Sequence, residues 1–172
     1  MSGRTRTRPI YVCYATGNGT KIFEAGTTGS WSEIDTGRTN AGRYTFFRYN
    51  LAGTDFIIWA DGANHATKYD GTTLTDINAS GAPANPKFVT GFKDHLFFAG
   101  MSSTPQQLTF TAPFTDNDFA TSNGAGTIKV DSNITGLFPF RDALFIFCEE
   151  RIFKLTGSAL ADFAVQPVTR EI

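Results

Sequence analysis

An excess of charge of either sign is missing from this 172-residue chain: fifteen Lys and Arg against sixteen Asp and Glu leave a formal charge of −1. The domain as a whole therefore lacks the electrostatic footprint of a non-specific nucleic-acid binder. Charged residues are also scarce, at 18%, and the 41% apolar content excludes an intrinsically disordered chain. Helical periodicity is absent over any run of about ten residues, which excludes a helical bundle or helical repeat. No stretch approaches the roughly 18 apolar residues of a bilayer-crossing helix, and the opening residues lack the apolar core of a secretory signal. The chain is expected to be made in the cytoplasm and not to insert into membranes.

Chemistry-bearing residues are as sparse. The two cysteines, Cys13 and Cys148, lie in aromatic-rich strands far from any Cys-x-x-Cys spacing, so buried reduced thiols are expected and a disulfide framework is not. His65 and His95 stand 30 residues apart in turn regions; neither belongs to a helix-borne metal motif, and both are expected on surface turns. There is no Gly-x-Ser-x-Gly elbow and no phosphate-binding Gly-x-x-x-x-Gly-Lys run, and Gly17-Asn18-Gly19 and Gly124-Ala125-Gly126 are too short to be more than turns. Asp94 and Asp142 occupy equivalent hairpins of two repeats, which makes them turn residues by repetition; a catalytic dyad would need convergence in one cleft. Glu149-Glu150 reads as a solvated loop. No catalytic, cofactor or metal residue is expected, and no enzymatic activity.

What the chain has is phenylalanine, 17 residues of it, together with abundant Thr and Gly, a composition that favours pleated strands joined by tight turns. A four-fold echo organises them. Lys21-Ile22-Phe23-Glu24-Ala25, Thr67-Lys68-Tyr69-Asp70-Gly71, Leu108-Thr109-Phe110-Thr111-Ala112 and Ile152-Phe153-Lys154-Leu155-Thr156-Gly157 each read as a strand ending in a small turn, and Phe23, Tyr69, Phe110 and Leu155 are separated by 46, 41 and 45 residues. That period is the one expected of β-propeller blades. The preceding hairpin repeats as well: Phe92-Lys93-Asp94-His95-Leu96-Phe97-Phe98 matches Phe140-Arg141-Asp142-Ala143-Leu144-Phe145-Ile146, while the second unit carries Phe46-Phe47-Arg48-Tyr49, an enlarged loop over 50–55, and Phe56-Ile57-Ile58-Trp59.

The expected fold is all-β, a propeller-like array of about four antiparallel blades over 10–37, 43–79, 86–121 and 127–172, preceded by a basic arm over 1–9 carrying Arg4, Arg6 and Arg8. The first blade reads as three strands without an opening one, the segment 112–126 as a long surface loop, and the array as incomplete on its own. Open blades expose sheet edges that invite pairing, so partners are expected. Thr27-Thr28-Gly29-Ser30-Trp31 loosely resembles the Asp-box turn of sialidase-like propellers but lacks its Asp. Trp31, Trp59 and Tyr69 read either as stacking platforms for sugars or as packing between blades.

Lys68-Tyr69-Asp70-Gly71-Thr72-Thr73-Leu74-Thr75-Asp76-Ile77, the Pro83 and Pro86 pair, Lys87-Phe88-Val89-Thr90-Gly91-Phe92-Lys93-Asp94-His95-Leu96, and Phe140-Arg141-Asp142-Ala143-Leu144-Phe145-Ile146 with Arg151-Ile152-Phe153-Lys154-Leu155 together resemble the propeller region of phage tail nozzle proteins, also called tail tubular protein B or phage stabilisation proteins, of short-tailed phages. The resemblance spans 10–172 and is a pattern of strands and turns. It implies a virion structural protein in the tail wall of the DNA ejection channel, assembled in the host cytoplasm as a ring, commonly a hexamer, beside adaptor, nozzle or fibre subunits, with DNA only as transiting cargo. Nozzle proteins are usually several times longer, so the chain reads as a fragment, a split gene product, or one piece of a nozzle built from several chains. The competing expectation is a glycan-binding propeller module.

Overall fold

In the protein's structure, a computed structural model, residues 12–14 (as backbone), 21–25, 30–39 and 43–168 are described. They form four separate antiparallel sheets, each a simple meander. Blade 1 holds β1 (Val12–Tyr14), β2 (Ile22–Ala25) and β3 (Trp31–Asp35). Blade 2 holds β4 (Thr45–Leu51), β5 (Thr54–Ala60), β6 (Ala66–Tyr69) and β7 (Leu74–Ile77). Blade 3 holds β8 (Phe88–Phe92), β9 (His95–Met101), β10 (Thr104–Phe110) and β11 (Gly126–Lys129), and blade 4 holds β12 (Ile134–Phe140), β13 (Ala143–Cys148), β14 (Ile152–Thr156) and β15 (Ala164–Pro167).

The blades stack face to face through the apolar residues on their facing sides. Ile22 of blade 1 packs with Trp59 and Tyr69 of blade 2; Ile58, Ala60, Ala66 and Ile77 of blade 2 pack with Val89, Leu96 and Phe98 of blade 3. Phe92, Phe97, Ala99, Leu108 and Phe110 of blade 3 pack in turn with Leu144, Ile146, Phe153 and Leu155 of blade 4. In β9 the alternation of a pleated strand therefore sends Leu96 and Phe98 one way and Phe97 and Ala99 the other, and every residue from His95 to Met101 is buried. The opening strands form the inner wall: β8 packs against β4 on one side and β12 on the other. At the first of these contacts Gly91 has no room for a side chain, since a Cβ would come within 2.8 Å of the Phe47 ring.

Three expectations change. The loop read over 50–55 is instead the tip of a continuous ladder, Asn50 pairing with Asp55 and Leu51 with Thr54 around a two-residue turn. Ala52 and Gly53 both have positive φ (51° and 85°), as a type I′ hairpin requires. Its polar flanks bond across the ladder, Arg48 and Asn50 both donating to Asp55. Next, residues 126–129 close blade 3, as β11 pairs with β10 from Gln107–Lys129 to Phe110–Gly126, so blade 3 extends past 121 and blade 4 begins after 130. The intervening loop is anchored rather than free: Asp116 is buried and accepts from Lys68 of blade 2. Finally, His95 is not on the surface but 1% exposed. The tight Lys93-Asp94 turn makes it the first residue of β9, where its Nδ1 donates to the Thr111 carbonyl (2.6 Å) and its ring meets Phe97, Phe110 and, across the junction, Phe163.

The expected three-strand first blade is present among the described residues, and Asp94 and Asp142 sit exposed on two-residue hairpin turns. Cys148 is a buried free thiol, pushed up to about 11 chiefly by burial and then by Asp131, and so inert at neutral pH. The basic arm, the side chain of Cys13, Gly17-Asn18-Gly19 and most of the Asp-box-like turn lie outside the described residues.

Face-to-face packing sets the cost of substitution. Phe97→Ala is expected to lower the unfolding free energy by about 3–5 kcal/mol and Gly91→Ala by about 1–3 kcal/mol, both read from denaturant midpoints at unchanged slope.

Candidate functional site

The loops at one end of the blades create a cleft of about 440 Å³ between blade 1, blade 2 and the connector that leaves blade 2. Its floor is Arg38, on the connector from β3 to β4, which is buried although nothing in its local sequence is apolar. Burial of a guanidinium demands that its donors be used. Here Nη1 donates to Asp35 (2.7 Å) and to the Thr67 hydroxyl (3.0 Å), Nε to Asp61 (3.1 Å) and Nη2 to the His65 carbonyl (3.1 Å), and Nη2 lies 3.0 Å from the Asp61 carboxylate. The Thr67 hydroxyl in turn donates a hydrogen bond to Asp76 (2.7 Å). The Trp59 ring lies beside the guanidinium, 5.9 Å from its centroid.

Asp61 is organised by its own loop. Its carboxylate accepts the amides of Ala63 and Asn64 and the Asn64 carboxamide, an Asx turn that fixes the β5–β6 loop. Burial alone would raise the Asp61 pKa, but those amides and the Arg38 charge outweigh it and hold the carboxyl below its usual range. Burial likewise opposes the charge on Arg38, and the hydrogen bonds and charges of Asp35 and then Asp61 reverse that and raise its pKa. The pair ties the connector of blade 1 to a loop of blade 2. Glu149 and Glu150 do the matching work at the far junction: their side chains are exposed as expected, while their amides donate to the Asn133 carbonyl and the Ser132 hydroxyl of the connector between blades 3 and 4.

Chemically the cleft is a structural latch. The described bonds of Arg38 engage Nε and both terminal nitrogens, so it presents no free fork to an anion. Asp35 and Asp61 are held by the same cation. His65, expected on a surface turn, is half-buried at the cleft wall, and its Nδ1 is enclosed with no partner among the described residues. Among the described residues, no three His, Cys, Asp or Glu side chains are grouped as metal ligands. Sequence reasoning passed over Arg38 because its partners lie 23 and 29 residues away. The only local signal was an arginine beside Asp35 and a turn glycine, opposite the Asp61-Gly62 turn.

No family model matches the sequence, and no curated protein matches it. The fold is similar to virginiamycin B lyase from Staphylococcus aureus, with a TM-score of 0.62 and 13% identity over 90% of this chain and 50% of that one. It is also similar to BBS1N as solved in complex with ARL6DN, with a TM-score of 0.56 and 11% identity over 91% of this chain and 50% of that one. Both are β-propeller proteins. This chain is a β-propeller-type array. It spans about half the length of each of these neighbours, and at such identities the likeness carries the fold alone.

The three aromatics considered for sugar stacking separate. Trp59 and Tyr69 are buried between blades 1 and 2, and the Tyr69 hydroxyl donates to Glu24 (3.0 Å) with its pKa pushed up to about 12 by burial and that carboxylate. Only Trp31 of the three is exposed.

The latch has a pH signature. Because Asp61 is held below its unfolded value near ~4, its contribution is fully present above that value and is lost as pH falls through the depressed folded value. Asp61→Asn is expected to cost about 1–3 kcal/mol at pH 7, since it removes one of the two carboxylates that compensate the buried Arg38 while Asp35 remains. It should also flatten the acid limb of stability against pH, measured by thermal unfolding from pH 7 to pH 3.

Proposed function

We propose that this chain is a structural component of a bacteriophage tail, a stiff stack of blades that acts by assembling with other subunits and not by catalysis. The observation that carries the assembly reading is the outer face of blade 4, where Phe138, Phe140 and Phe147 stand exposed on a sheet whose opposite face packs against blade 3. Isolated surface hydrophobics are ordinary; a contiguous set on one sheet marks an interaction site. The tail assignment is supported by the resemblance of the Lys68 to Ile77, Lys87 to Leu96 and Phe140 to Ile146 segments to nozzle proteins. The non-enzymatic reading is supported by the cleft, whose cation and nearest acids are consumed by one another.

The mechanism is mechanical. Each junction buries several Phe, Ile and Leu side chains at roughly 1.5–3 kcal/mol apiece, and each is latched at its rim by ion pairs or backbone bonds, so the blades move as one wedge suited to a wall. The glycan-binding alternative loses Trp59 and Tyr69 as platforms and keeps Trp31.

The chain is expected in purified tail particles, in stoichiometric copies within the tail wall, when those particles are imaged by electron cryomicroscopy and the wall is traced. Its absence from particles that eject DNA normally would overturn the tail assignment.

A further inference from the structure

The cross-strand register lets an uncovered face be compared with two covered ones. On β12, β13 and β14 the residues directed away from blade 3 are Phe138 and Phe140, Phe145 and Phe147, and Ile152 and Lys154, paired Phe138–Phe145, Phe145–Lys154 and Phe147–Ile152. The same register in blade 3 holds Thr90 and Phe92, Phe97 and Ala99, and Leu108 and Phe110, which is the surface blade 4 covers. In blade 2 it holds Phe47 and Tyr49, Ile58 and Ala60, and Ala66 and Lys68, which is the surface blade 3 covers. Blade 4 thus presents the side of a blade that elsewhere receives the next one, with Phe138 and Phe140 57% and 52% exposed.

Lys154 sharpens the comparison. It occupies the register position of Lys68, whose ammonium lies over the Phe56 ring and pairs with Asp116 on the following blade. Lys154 is half-buried in the aromatic face and has no ion pair or hydrogen bond among the described residues. A lysine set in an apolar sheet face at a position used elsewhere to meet an acid of the next blade calls for a partner that is a blade and carries a carboxylate.

The other end of the stack supplies such a surface. In β2, Ile22 and Glu24 are turned to blade 2, so the pleat directs Phe23 and Ala25 to the opposite side, with cross-strand partners Glu33 and Trp31. That face carries an aromatic, Trp31, 51% exposed, and an acid, Glu33, whose only described ion pair is a solvent-facing one with Lys21. Such an exposed pair is worth little and exchanges readily. This acid on an aromatic-bearing face makes the outer side of blade 1 complementary in charge and shape class to the outer side of blade 4.

We propose that the outer face of blade 4 docks the outer face of blade 1 of a second copy of this chain, and that the reciprocal contact closes two arcs into one propeller ring, with Lys154 meeting Glu33. A head-to-tail contact that closes on rotation yields a finite ring. The inference rests on the assembly reading above and names its partner, yet it stands apart from the tail assignment.

Sedimentation equilibrium of the full chain at micromolar concentration tests it. The wild-type chain is expected as a dimer. Phe138→Glu and, separately, Trp31→Glu are expected to weaken it by about 30-fold or more, as loss of a buried aromatic anchor does. Both residues are exposed in the single chain, so each variant should keep the wild-type far-ultraviolet circular dichroism. Lys154→Glu should weaken the dimer, and Lys154→Glu combined with Glu33→Lys should restore it. A wild-type monomer overturns the proposal, and so does a dimer that ignores all three sites; a larger ring broken by the same substitutions overturns the two-copy closure. Dimerisation through these faces by a chain missing from tail particles would uphold this inference and sink the tail assignment alone.

Discussion

The constraint on which this structure depends is that a sheet with two apolar faces needs two neighbours. Each blade here is one small repeat unit that cannot bury its hydrophobic faces alone, and stacking on its neighbours makes the continuous core. Stacking resolves this for blades 2 and 3, whose faces are both covered by Phe, Ile, Leu and Trp side chains. Everything else follows from it: the tight hairpins that keep strands in register, the glycine at the crossing of β4 and β8, and the polar latches that stop the blades from sliding.

Polar groups in this design set position rather than perform chemistry. Arg38 and Lys68 are each held between elements of neighbouring blades, one by Asp35 and Asp61, the other by Asp116. A buried ion pair adds little net stability over an apolar filling but strongly penalises misalignment, because any shift leaves a charge unpaired. That is the behaviour expected of a spacer between stacked sheets, and it accounts for the concentration of buried charge at the blade junctions.

The repeat was legible in the sequence because its signals are local: alternating aromatic residues, Asp-Gly turns and a step of 41 to 46 residues between Phe23, Tyr69, Phe110 and Leu155. The misreadings have two causes: polar residues looked like loop, and the partners that decide a residue's place lie far away in sequence. Asn50, Thr54 and Asp55 are ladder residues because they bond across the hairpin. Ile128 belongs to blade 3 although its neighbours in sequence lead into blade 4, because the fourth strand returns after a loop that Asp116 anchors. His95 is buried by Phe163 from another blade, and Arg38 by acids and a hydroxyl gathered from both sides of a junction; no window of sequence contains those partners. Trp59 and Tyr69 were recognisable as aromatic, but their burial depends on blade 1.

If coverage of both faces is what stabilises each blade, protection must be graded along the stack. Native-state amide hydrogen exchange at concentrations low enough to keep the chain monomeric reads this directly, strand by strand. The account predicts that β9, buried throughout, exchanges slowest, near the global unfolding limit, and that β13 and β14 of blade 4, with one face bare, exchange measurably faster. Equal protection of blades 3 and 4 under those conditions would contradict it.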